Sequence, residues 1–537
     1  MQVSPLRWTR KDLCFALLQL GALCAFVIQL LISADPVNLE CVGWVVISSS
    51  LVFQYLWRSN SPEQYPVSAL ALLGLCVTTV YAALLAQSVD GAPLIELLRW
   101  PQTTFRVLAA VLFLSVLGHW IYRHLAAPQA GAQRITRLVH RPLKIVAIPS
   151  VHMIWLMSGV GAYALATGGG VATGDVGGKA FQALNFLAYM PFLIPIYHRQ
   201  YGARYCTMKT QGPLIAGYVA LLCVIGMALN ARQLMVIGPV QALLMYLVYA
   251  WRDERPVTRS TVKWLLVSAV SLMIAIAMFA QLATAMVLVR DKRDTLKPWE
   301  LIKETVTTLT DSARMAQYRQ DALLDARYKV FDETYLSNPV MARFSETKFH
   351  DNTIYFGTRL TDRDRSELWD ATIDKSLAIL PQNLLDALEI RVEKDDYAFS
   401  FGDYYRYLNE GLDNTLGGFS VGSVWAHLLG LFGIEWFPVV VLLLVIPSSM
   451  YLDSFVTREQ GVVNIAPVIM CSAWSLFSYA LGSESLAWKI GFYLRDIPQK
   501  MLLYTVMYLI IMWGTQLFGR RLDATLDDQA EARGEPT

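Results

Sequence analysis

Apolar stretches of about 20 residues recur along this chain of 537 residues and leave few alternatives for its fold. A segment that crosses a lipid bilayer must satisfy its backbone hydrogen bonds internally, and a helix of about 20 residues does so across the hydrocarbon core. Charged residues make up only 16% of the chain, against roughly 25% in soluble domains. The sequence therefore predicts an all-α polytopic membrane protein.

The apolar blocks predict twelve transmembrane helices, nine before a long polar interval and three after it. They run approximately over residues 13–33, 41–57, 67–87, 104–125, 143–166, 180–196, 213–229, 234–251, 262–289, 424–451, 462–482 and 500–518. We interpret the first as a retained span, because its apolar run is long for a signal peptide. The predicted parts are helices 1–9 (residues 1–289), the polar interval (290–423), helices 10–12 (424–521) and a disordered cytoplasmic tail (522–537).

The distribution of lysine and arginine predicts that both termini are cytoplasmic. With the N-terminus inside, the cytoplasmic segments hold twenty basic residues and the short outer segments hold seven, as expected from the enrichment of positive residues in cytoplasmic loops. The polar interval then lies outside the cytoplasm. Its aromatic residues are interleaved with charges, which favours a folded, mainly helical domain, with helices from Glu300 to about Tyr335 and from Asp364 to Ile379.

Composition excludes several classes of function. The formal charge of +2 is not that of a nucleic-acid-binding protein. The seven cysteines lie mostly inside apolar runs and form no cluster with histidine, so neither a disulfide framework nor a metal site is expected.

Arg232 is the first residue that could carry chemistry. It lies in a very short turn between predicted spans seven and eight, on the side of the polar interval. A guanidinium held there matches a phosphate or a carboxylate through two parallel hydrogen bonds. An arginine that reaches toward lipid headgroups is the simpler alternative.

A second group lies within the polar interval. Arg343, Lys348 and His350 fall close together in sequence with two carboxylates. This mixture suits the binding of an anionic leaving group and the movement of a proton. A solvated charged surface is the alternative.

A third group ends the polar interval. Tyrosines alternate there with carboxylates, and Asp403, Arg406 and Glu410 lie among them, a combination that sugar-binding sites use. A glycine-rich run follows, so that His427 is expected about one turn inside the apolar tenth span. An imidazole at that depth either faces a polar cavity or is a satisfied structural residue.

Arg495 belongs to a basic outer loop between the last two predicted spans. Excess positive charge on that side is consistent with contact to a pyrophosphate, and a belt of lipid headgroups explains it nearly as well.

These features together resemble the Wzy-type polysaccharide polymerases, which are related to the O-antigen ligases. The resemblance rests on an arginine at the outer end of a mid-chain helix, a large late extracytoplasmic loop, and short motifs. The motifs are a Leu-Pro element and a return pattern, formed by Leu380, Pro381, Gly422, Ser423, Ala426, Phe432 and Gly433. The architecture covers nearly the whole chain, and the motifs cover only Arg232 and residues 380–433.

The resemblance implies a GT-C-like membrane glycosyltransferase. It would transfer a growing glycan from undecaprenyl pyrophosphate to a lipid-linked repeat unit on the periplasmic side of the bacterial inner membrane, without metal or cofactor. Arg232 would bind the pyrophosphate, with Arg343 or Lys348 as a second clamp and Arg406 and Arg495 as further binding residues. Expected partners are the lipid-linked oligosaccharide, membrane lipid, a chain-length regulator and a flippase of the same pathway, with no nucleic acid.

The identity of the catalytic base stays open. The family usually has an acidic residue where the returning helix begins, and this chain has His427 there. The candidates are therefore His427, His350, Asp403 and Glu410. At the level of function, a lipid-linked oligosaccharide transporter, an O-antigen ligase and a structural membrane component are the alternatives.

Overall fold

The computed structural model describes residues 8–167, 178, 181–252, 255–293, 295–328, 331–411, 413–459, 462–482 and 484–532. Arg7, Lys179 and Arg533, which contribute to the predicted charge asymmetry, and the end of the predicted tail (533–537) lie outside the described residues. The molecule is 79% helical. Within the described ranges, eight helices are long and apolar enough to cross a membrane, which confirms an all-α polytopic membrane protein.

The first part of the chain forms a compact group of helices. Prolines at the first turns of several of them are placed where a helix needs no backbone donor. The elements are α1 (Arg10–Ile32), α2 (Pro36–Arg58), α3 (Ser61–Gln64), α4 (Pro66–Cys76), a π-helical turn (Val77–Tyr81), α5 (Ala82–Asp90), α6 (Pro101–His124), α7 (Ala126–Ile135) and a second π-helical turn (Thr136–His140).

The middle part is more irregular. It contains α8 (Val151–Thr167), a 3-10 segment (Ala183–Leu193), α9 (Ile194–Tyr201), α10 (Met208–Ala228), α11 (Arg232–Ala250) and α12 (Arg259–Leu288). Helix α12 is exposed on nearly all faces from Arg259 to Met278, and its buried residues lie only in its last turns.

Residues 290–423, which we call the polar insert, fold into short helices. They are α13 (Pro298–Thr310), α14 (Ser312–Tyr328), α15 (Thr347–Gly357), α16 (Asp362–Leu377), α17 (Gln382–Ala387) and α18 (Phe401–Glu410). The single helix predicted from Glu300 to Tyr335 is two helices separated at Asp311, and the second ends at Tyr328. The helix predicted from Asp364 is α16, capped by the Thr361 hydroxyl.

The C-terminal part begins with α19 (Val424–Asp453). It continues with an antiparallel hairpin of β1 (Val456–Glu459) and β2 (Val462–Ile465), in which Val456 pairs with Ile465, and with α20 (Pro467–Met470), α21 (Ala473–Tyr479), α22 (Leu486–Gly491) and α23 (Ile497–Ala532). Helix α23 continues past residue 521, where the disordered tail was predicted to begin.

Two predicted spans differ from the structure in shape. The segment predicted as span eleven is a strand followed by two short helices, because β-branched residues favour the strand and Pro467 starts a new helix. Helix α19 is broken at Gly433, whose φ of 69° is accessible to glycine. Residues 434–453 remain as the part long enough to cross a membrane.

The eight candidate spans correspond to predicted spans one to four and seven to ten. Predicted spans five, six, eleven and twelve are not among them. Spans five and six are consecutive, and so are spans eleven and twelve. Since two consecutive crossings return the chain to the side from which it started, the polar insert lies on the same side of a membrane whether eight or twelve segments cross it. The predicted sidedness therefore does not depend on the count.

The centre of the bundle is formed by α2, α4, α6 and α19, which pack against one another. The closest approach occurs at Gly74 of α4, where an added Cβ atom would lie 2.0 Å from the carbonyl oxygen of Phe477. A larger residue there would force α4 and α21 apart.

Asp351 attaches the polar insert to this bundle. Its carboxylate is fully buried and accepts hydrogen bonds from the backbone N–H groups of Arg99 (2.7 Å) and Trp100 (2.9 Å) and from the Thr104 hydroxyl (3.1 Å). These groups lie at the N-terminus of α6, where unpaired donors and the helix dipole favour an anion. Asp351 of α15 therefore caps a helix of the bundle from the insert.

We expect Asp351→Ala to destabilise the protein by about 3 kcal/mol, because three buried donors lose their acceptor. The change should lower the thermal unfolding temperature of the protein purified in detergent. Asp386→Asn, at an exposed position of α17, serves as the control and should leave that temperature unchanged. Equal unfolding temperatures for Asp351→Ala and the wild type would contradict this role.

Candidate functional site

Two cavities adjoin between α11, α12 and the polar insert. The first, which we call the apolar cavity, has a volume of about 390 Å³. Its walls come mainly from aliphatic and aromatic side chains of the two helices, including Leu234, Ile237, Val240, Phe279, Ala283 and Met286. Such a lining suits a hydrocarbon chain.

The second cavity, which we call the polar cavity, has a volume of about 660 Å³. The polar insert supplies much of its wall, and the last turns of α12 close it on the other side. Hydrogen-bonding side chains are frequent along it, among them Gln281, Thr284, Tyr318, Thr334, Ser337 and Asn338. Small apolar side chains of α12 lie between these groups, so the mixed lining suits a sugar, which has both hydroxyl groups and apolar faces.

Arg232 and Arg343 lie where the two cavities meet. Both residues line both cavities, as do Val287 and Pro339. The structure therefore brings together two arginines that are 111 positions apart in sequence, at the boundary between the two cavities.

The short turn before α11 explains the position of Arg232. Helix α10 ends near Leu229, and Asn230 adopts a left-handed backbone conformation (φ 49°), which asparagine tolerates better than most residues. The N–H of Ala231 then donates to the carbonyl oxygen of Gly226 (2.8 Å). Arg232 is the first residue of α11, so its positive charge adds to that of the helix N-terminus.

Arg343 is held by a 3-10 turn of the polar insert (Met341–Arg343). The side-chain oxygen of Asn338 accepts hydrogen bonds from the N–H groups of Val340 (2.9 Å) and Met341 (3.3 Å). The ring of Phe344 packs edge-on against Trp474, with 5.1 Å between the ring centroids. These contacts fix the backbone from which the Arg343 guanidinium extends.

Four arginines bring positive charge to this boundary. Arg290 and Arg293 also line the apolar cavity, and Arg343 and Arg290 lie within electrostatic range of Arg232. Among the described residues, none of these four arginines forms a salt bridge. We call them the arginine cluster. Its unneutralised charge favours a multiply charged anion, such as a phosphate or pyrophosphate.

Glu333 brings a carboxylate to the polar cavity. Its Oε1 atom accepts a hydrogen bond from the N–H of Val421 (2.9 Å), while the side chain stays accessible. Although the side chain keeps access to solvent, the surrounding protein removes part of the hydration of its carboxylate, and this raises the pKa of Glu333. The charges of Asp403 and Asp332 raise it further, and the Val421 N–H and the charge of Arg343 act in the opposite direction. A carboxylate in this setting can accept a proton from a ligand.

Lys348 also lines the polar cavity, but its ammonium group is occupied. It donates to the carbonyl oxygen of Leu97 and lies 3.9 Å from the Asp351 carboxylate. The residue is almost fully buried, and this burial lowers the pKa of Lys348. The structure therefore places it at the cavity wall as part of the attachment of the insert.

His350 lies near these residues in sequence but lines neither cavity. It is fully buried in α15, and its Nδ1 forms a hydrogen bond of 2.7 Å with the Ser423 hydroxyl. Burial lowers the pKa of His350 to about 3, so the imidazole is neutral at physiological pH. Its position joins the polar insert to the start of α19.

His427 is likewise a buried contact between the insert and α19. Its Nε2 forms a hydrogen bond of 2.9 Å with the Thr372 hydroxyl of α16, and its ring packs at 4.3 Å from Phe401. The break at Gly433 leaves His427 in the short N-terminal piece of α19, which packs against the insert. Its Nδ1 is buried without a hydrogen-bond partner among the described residues, and His427 lines neither the apolar nor the polar cavity.

Asp403, Arg406 and Glu410 lie together on α18, away from the arginine cluster. Asp403 is buried, and its two oxygens accept hydrogen bonds from the N–H groups of Phe419 (2.6 Å) and Ser420 (3.0 Å). Arg406 forms a salt bridge of 2.8 Å with Glu410. None of the three lines the apolar or the polar cavity.

Arg495 lies in a different part of the molecule. It is exposed and lines a separate cavity of about 420 Å³ with Lys375, Trp488 and Asp496. The structure therefore does not bring Arg495 to the arginine cluster.

A buried charged group supports the wall of the apolar cavity. The Lys489 ammonium donates to the carbonyl oxygen of Tyr479, a lining residue, and the carboxylates of Glu346 and Glu484 lie within electrostatic range. Burial lowers the pKa of Lys489 and raises the pKa of Glu484. This group lines neither cavity itself.

Sequence reasoning missed Arg290, Arg293 and Glu333. Arg290 begins a short 3-10 turn (Arg290–Lys292), Arg293 follows it, and Glu333 lies in an irregular segment, so no periodicity or motif marks them. The end of a long apolar helix at Leu288 was the available signal for the two arginines, because residues there must lie near the membrane surface. Across the described ranges, no three His, Cys, Asp or Glu side chains come together as ligands for one metal ion.

Comparisons with other proteins do not assign a function to this chain, so a proposal has to be based on the geometry of the site. The chain matches no protein-family model, no curated protein and no solved structure.

Proposed function

We propose that this chain is a metal-independent membrane glycosyltransferase of the Wzy type, which polymerises undecaprenyl-pyrophosphate-linked oligosaccharide repeat units into exopolysaccharide or O-antigen. The observation that carries the proposal is the position of Arg232 and Arg343 between the apolar and the polar cavity. The donor has three parts in the same order, an isoprenoid chain, a pyrophosphate and a series of sugars. Each part finds a surface of matching chemistry.

The reaction takes place on the periplasmic face of the bacterial inner membrane, with both termini in the cytoplasm. The distribution of lysine and arginine supports this orientation. On that face the polar insert lies beside the lipid-linked donor, and cytoplasmic nucleotide sugars are not needed.

The arginine cluster lowers the barrier for departure of the pyrophosphate. Negative charge grows on the bridging and terminal oxygens as the bond to the sugar breaks. Fixed guanidinium groups interact more strongly with that state than with the intact donor, and such differential binding is what accelerates a reaction.

Glu333 accepts the proton of the attacking hydroxyl. The hydroxyl oxygen of the acceptor forms a bond to the anomeric carbon of the donor, and the bond from that carbon to the pyrophosphate oxygen breaks. The proton of the hydroxyl passes to the Glu333 carboxylate, and undecaprenyl pyrophosphate leaves with the bonding electrons. The accessible carboxylate in the polar cavity supports this role better than His350, His427, Asp403 or Glu410, which lie outside both cavities.

The acceptor and the partners complete the proposal. A second lipid-linked repeat unit supplies the hydroxyl, and a chain-length regulator and a flippase act in the same pathway. An O-antigen ligase would use the same donor site with a different acceptor, so analysis of the products has to separate the two activities.

Gel analysis of the lipid-linked glycans of a deletion strain tests the proposal. Single repeat units that accumulate on the periplasmic leaflet are expected. Units retained on the cytoplasmic leaflet would indicate a flippase, and long polymers that stay on the lipid carrier would indicate a ligase.

Replacement of Arg232 by lysine should reduce polymer synthesis by about 100-fold or more, because one fixed donor pair to the leaving group is lost. The same loss is expected for Arg343→Lys, measured as glycan length and amount at equal protein level in the membrane. Arg406→Lys is the matched control, since Arg406 is paired with Glu410 outside the cavities. Wild-type chain lengths in Arg232→Lys would remove this residue from the site.

Replacement of Glu333 by glutamine should lower the rate of glycan transfer by about 100-fold or more, since a positioned base contributes at least that factor. For the wild type, activity should rise with pH through the raised pKa of Glu333, because the base acts in its deprotonated form. Asp90→Asn alters the other carboxylate of the polar cavity and should leave the pH profile unchanged. A Glu333→Gln variant with wild-type rate and profile would exclude this base.

A fusion of a periplasm-dependent phosphatase after Gln320, in α14, should be active in cells. This follows from the placement of the polar insert outside the cytoplasm. Activity of a cytoplasm-dependent reporter at the same position would overturn the orientation, and with it the periplasmic reaction.

A further inference from the structure

A third cavity lies at the end of the bundle opposite the polar insert. Helices α6 and α19 both begin beside the insert, and the residues that end them or follow them surround this cavity of about 390 Å³. We call it the basal pocket. It shares no residue with the apolar or the polar cavity.

Three arginines from two separate segments converge on the basal pocket. Arg137 belongs to the π-helical turn after α7 and Arg141 follows that turn, while Arg458 belongs to β1. Arg458 donates to the carbonyl oxygen of Gln64, which fixes its direction. Arg137 is exposed and forms no salt bridge within the described part of the chain.

The rest of the lining is mostly polar, and all of it except one carboxylate is uncharged. Gln64, Gln129 and Gln133 contribute amide groups, and Asp453 contributes the only carboxylate among the described lining residues. The two oxygens of Asp453 are bound to Ser68, one by its N–H (3.1 Å) and one by its hydroxyl (2.5 Å). Within the described residues, Asp453 is held by this contact and forms no salt bridge with Arg137 or Arg458, so the carboxylate does not cancel their charge.

The walls of the basal pocket are held in place by the fold. His140 and Thr136, from the same π-helical turn as Arg137, both form hydrogen bonds to the carbonyl oxygen of Ser454, directly after α19. The His140 ring also stacks on Phe455 at 4.1 Å. These contacts hold the turn that carries Arg137 against the end of α19, and a bound anion would offset the cost of bringing positive side chains together in the pocket.

Arginines that serve only to set the orientation of a protein in the membrane do not have to converge on one pocket. Arg134, on α7, is exposed and does not line the pocket, although it contributes equally to the charge of this loop. Convergence on one concave surface, with amide side chains between the cations, is a property of a binding site.

We propose that the basal pocket binds a phosphate-bearing ligand through Arg137, Arg141 and Arg458. The planar guanidinium group matches phosphate oxygens through paired hydrogen bonds, and the glutamine amides suit the polar remainder of such a ligand. The phosphate belongs either to a soluble phosphorylated molecule or to the headgroup of an anionic lipid in the adjacent leaflet. The proposal does not depend on the glycosyl transfer proposed above.

Equilibrium dialysis of the full-length protein in neutral detergent against labelled inorganic pyrophosphate tests the soluble source. We expect the Arg137→Gln/Arg458→Gln variant to bind about tenfold more weakly at this pocket, so that the bound amount per chain falls. Arg134→Gln should bind as the wild type does. Any pyrophosphate held by the arginine cluster is the same in all three proteins and cancels in the comparison.

The lipid source is tested with nanodiscs of mixed phosphatidylglycerol and phosphatidylcholine. Mass spectrometry of the re-extracted wild type should then show retained phosphatidylglycerol, which the double variant loses. Arg137→Gln alone, at an exposed position, gives the same comparison if the double variant does not fold. Equal binding of both probes by wild type and variants would overturn the proposal, whatever the outcome for the glycosyltransferase.

Discussion

Positive charge held at a boundary between apolar and polar surfaces is the constraint on which this structure depends. A guanidinium group loses hydration when a fold confines it, and a group of them adds mutual repulsion. The protein keeps Arg232 at a helix start and Arg343 on a pinned turn, with no carboxylate salt bridge to either among the described residues. The rest of the fold has to hold these groups in place against that free-energy cost. An anion that binds to them offsets the cost, and this favours its binding.

The contacts that attach the polar insert to the helix bundle hold these arginines in place. Asp351, His350 and His427 connect the insert to α6 and α19 through buried hydrogen bonds, and Lys489 braces the wall beside Tyr479. Buried titratable groups of this kind are costly to leave unpaired, so each contact fixes one relative position of insert and bundle. These titratable side chains are therefore used for assembly, and the residues at the cavity surface are left as the candidates for chemistry.

Hydropathy predicted the fold class and the positions of eight helices, because a membrane span is encoded locally by about 20 apolar residues. It did not anticipate the hairpin before Pro467 or the break at Gly433, which depend on backbone conformation inside an apolar run. Within the site, Arg232 could be predicted because its short turn limits where it can lie. Glu333 could not be predicted, because its environment in the fold is formed by Val421 and Arg343. Contacts between different segments of the chain leave no local pattern in the sequence. The sequence likewise did not reveal that His427 and Asp403 are buried outside the cavities, because this depends on their contacts in the folded protein.

The sparse packing of α12 has a consequence for the surroundings of the protein. A helix of 30 residues is about 45 Å long, longer than the hydrocarbon core, and it has to tilt to fit. Since the first two thirds of the helix are exposed in the described chain, packing within the protein does not fix that tilt, and the thickness of a surrounding bilayer would set it. The same helix carries Phe279 and Val287, so a thinner or thicker membrane alters the width of the cleft in which a lipid-linked sugar would lie.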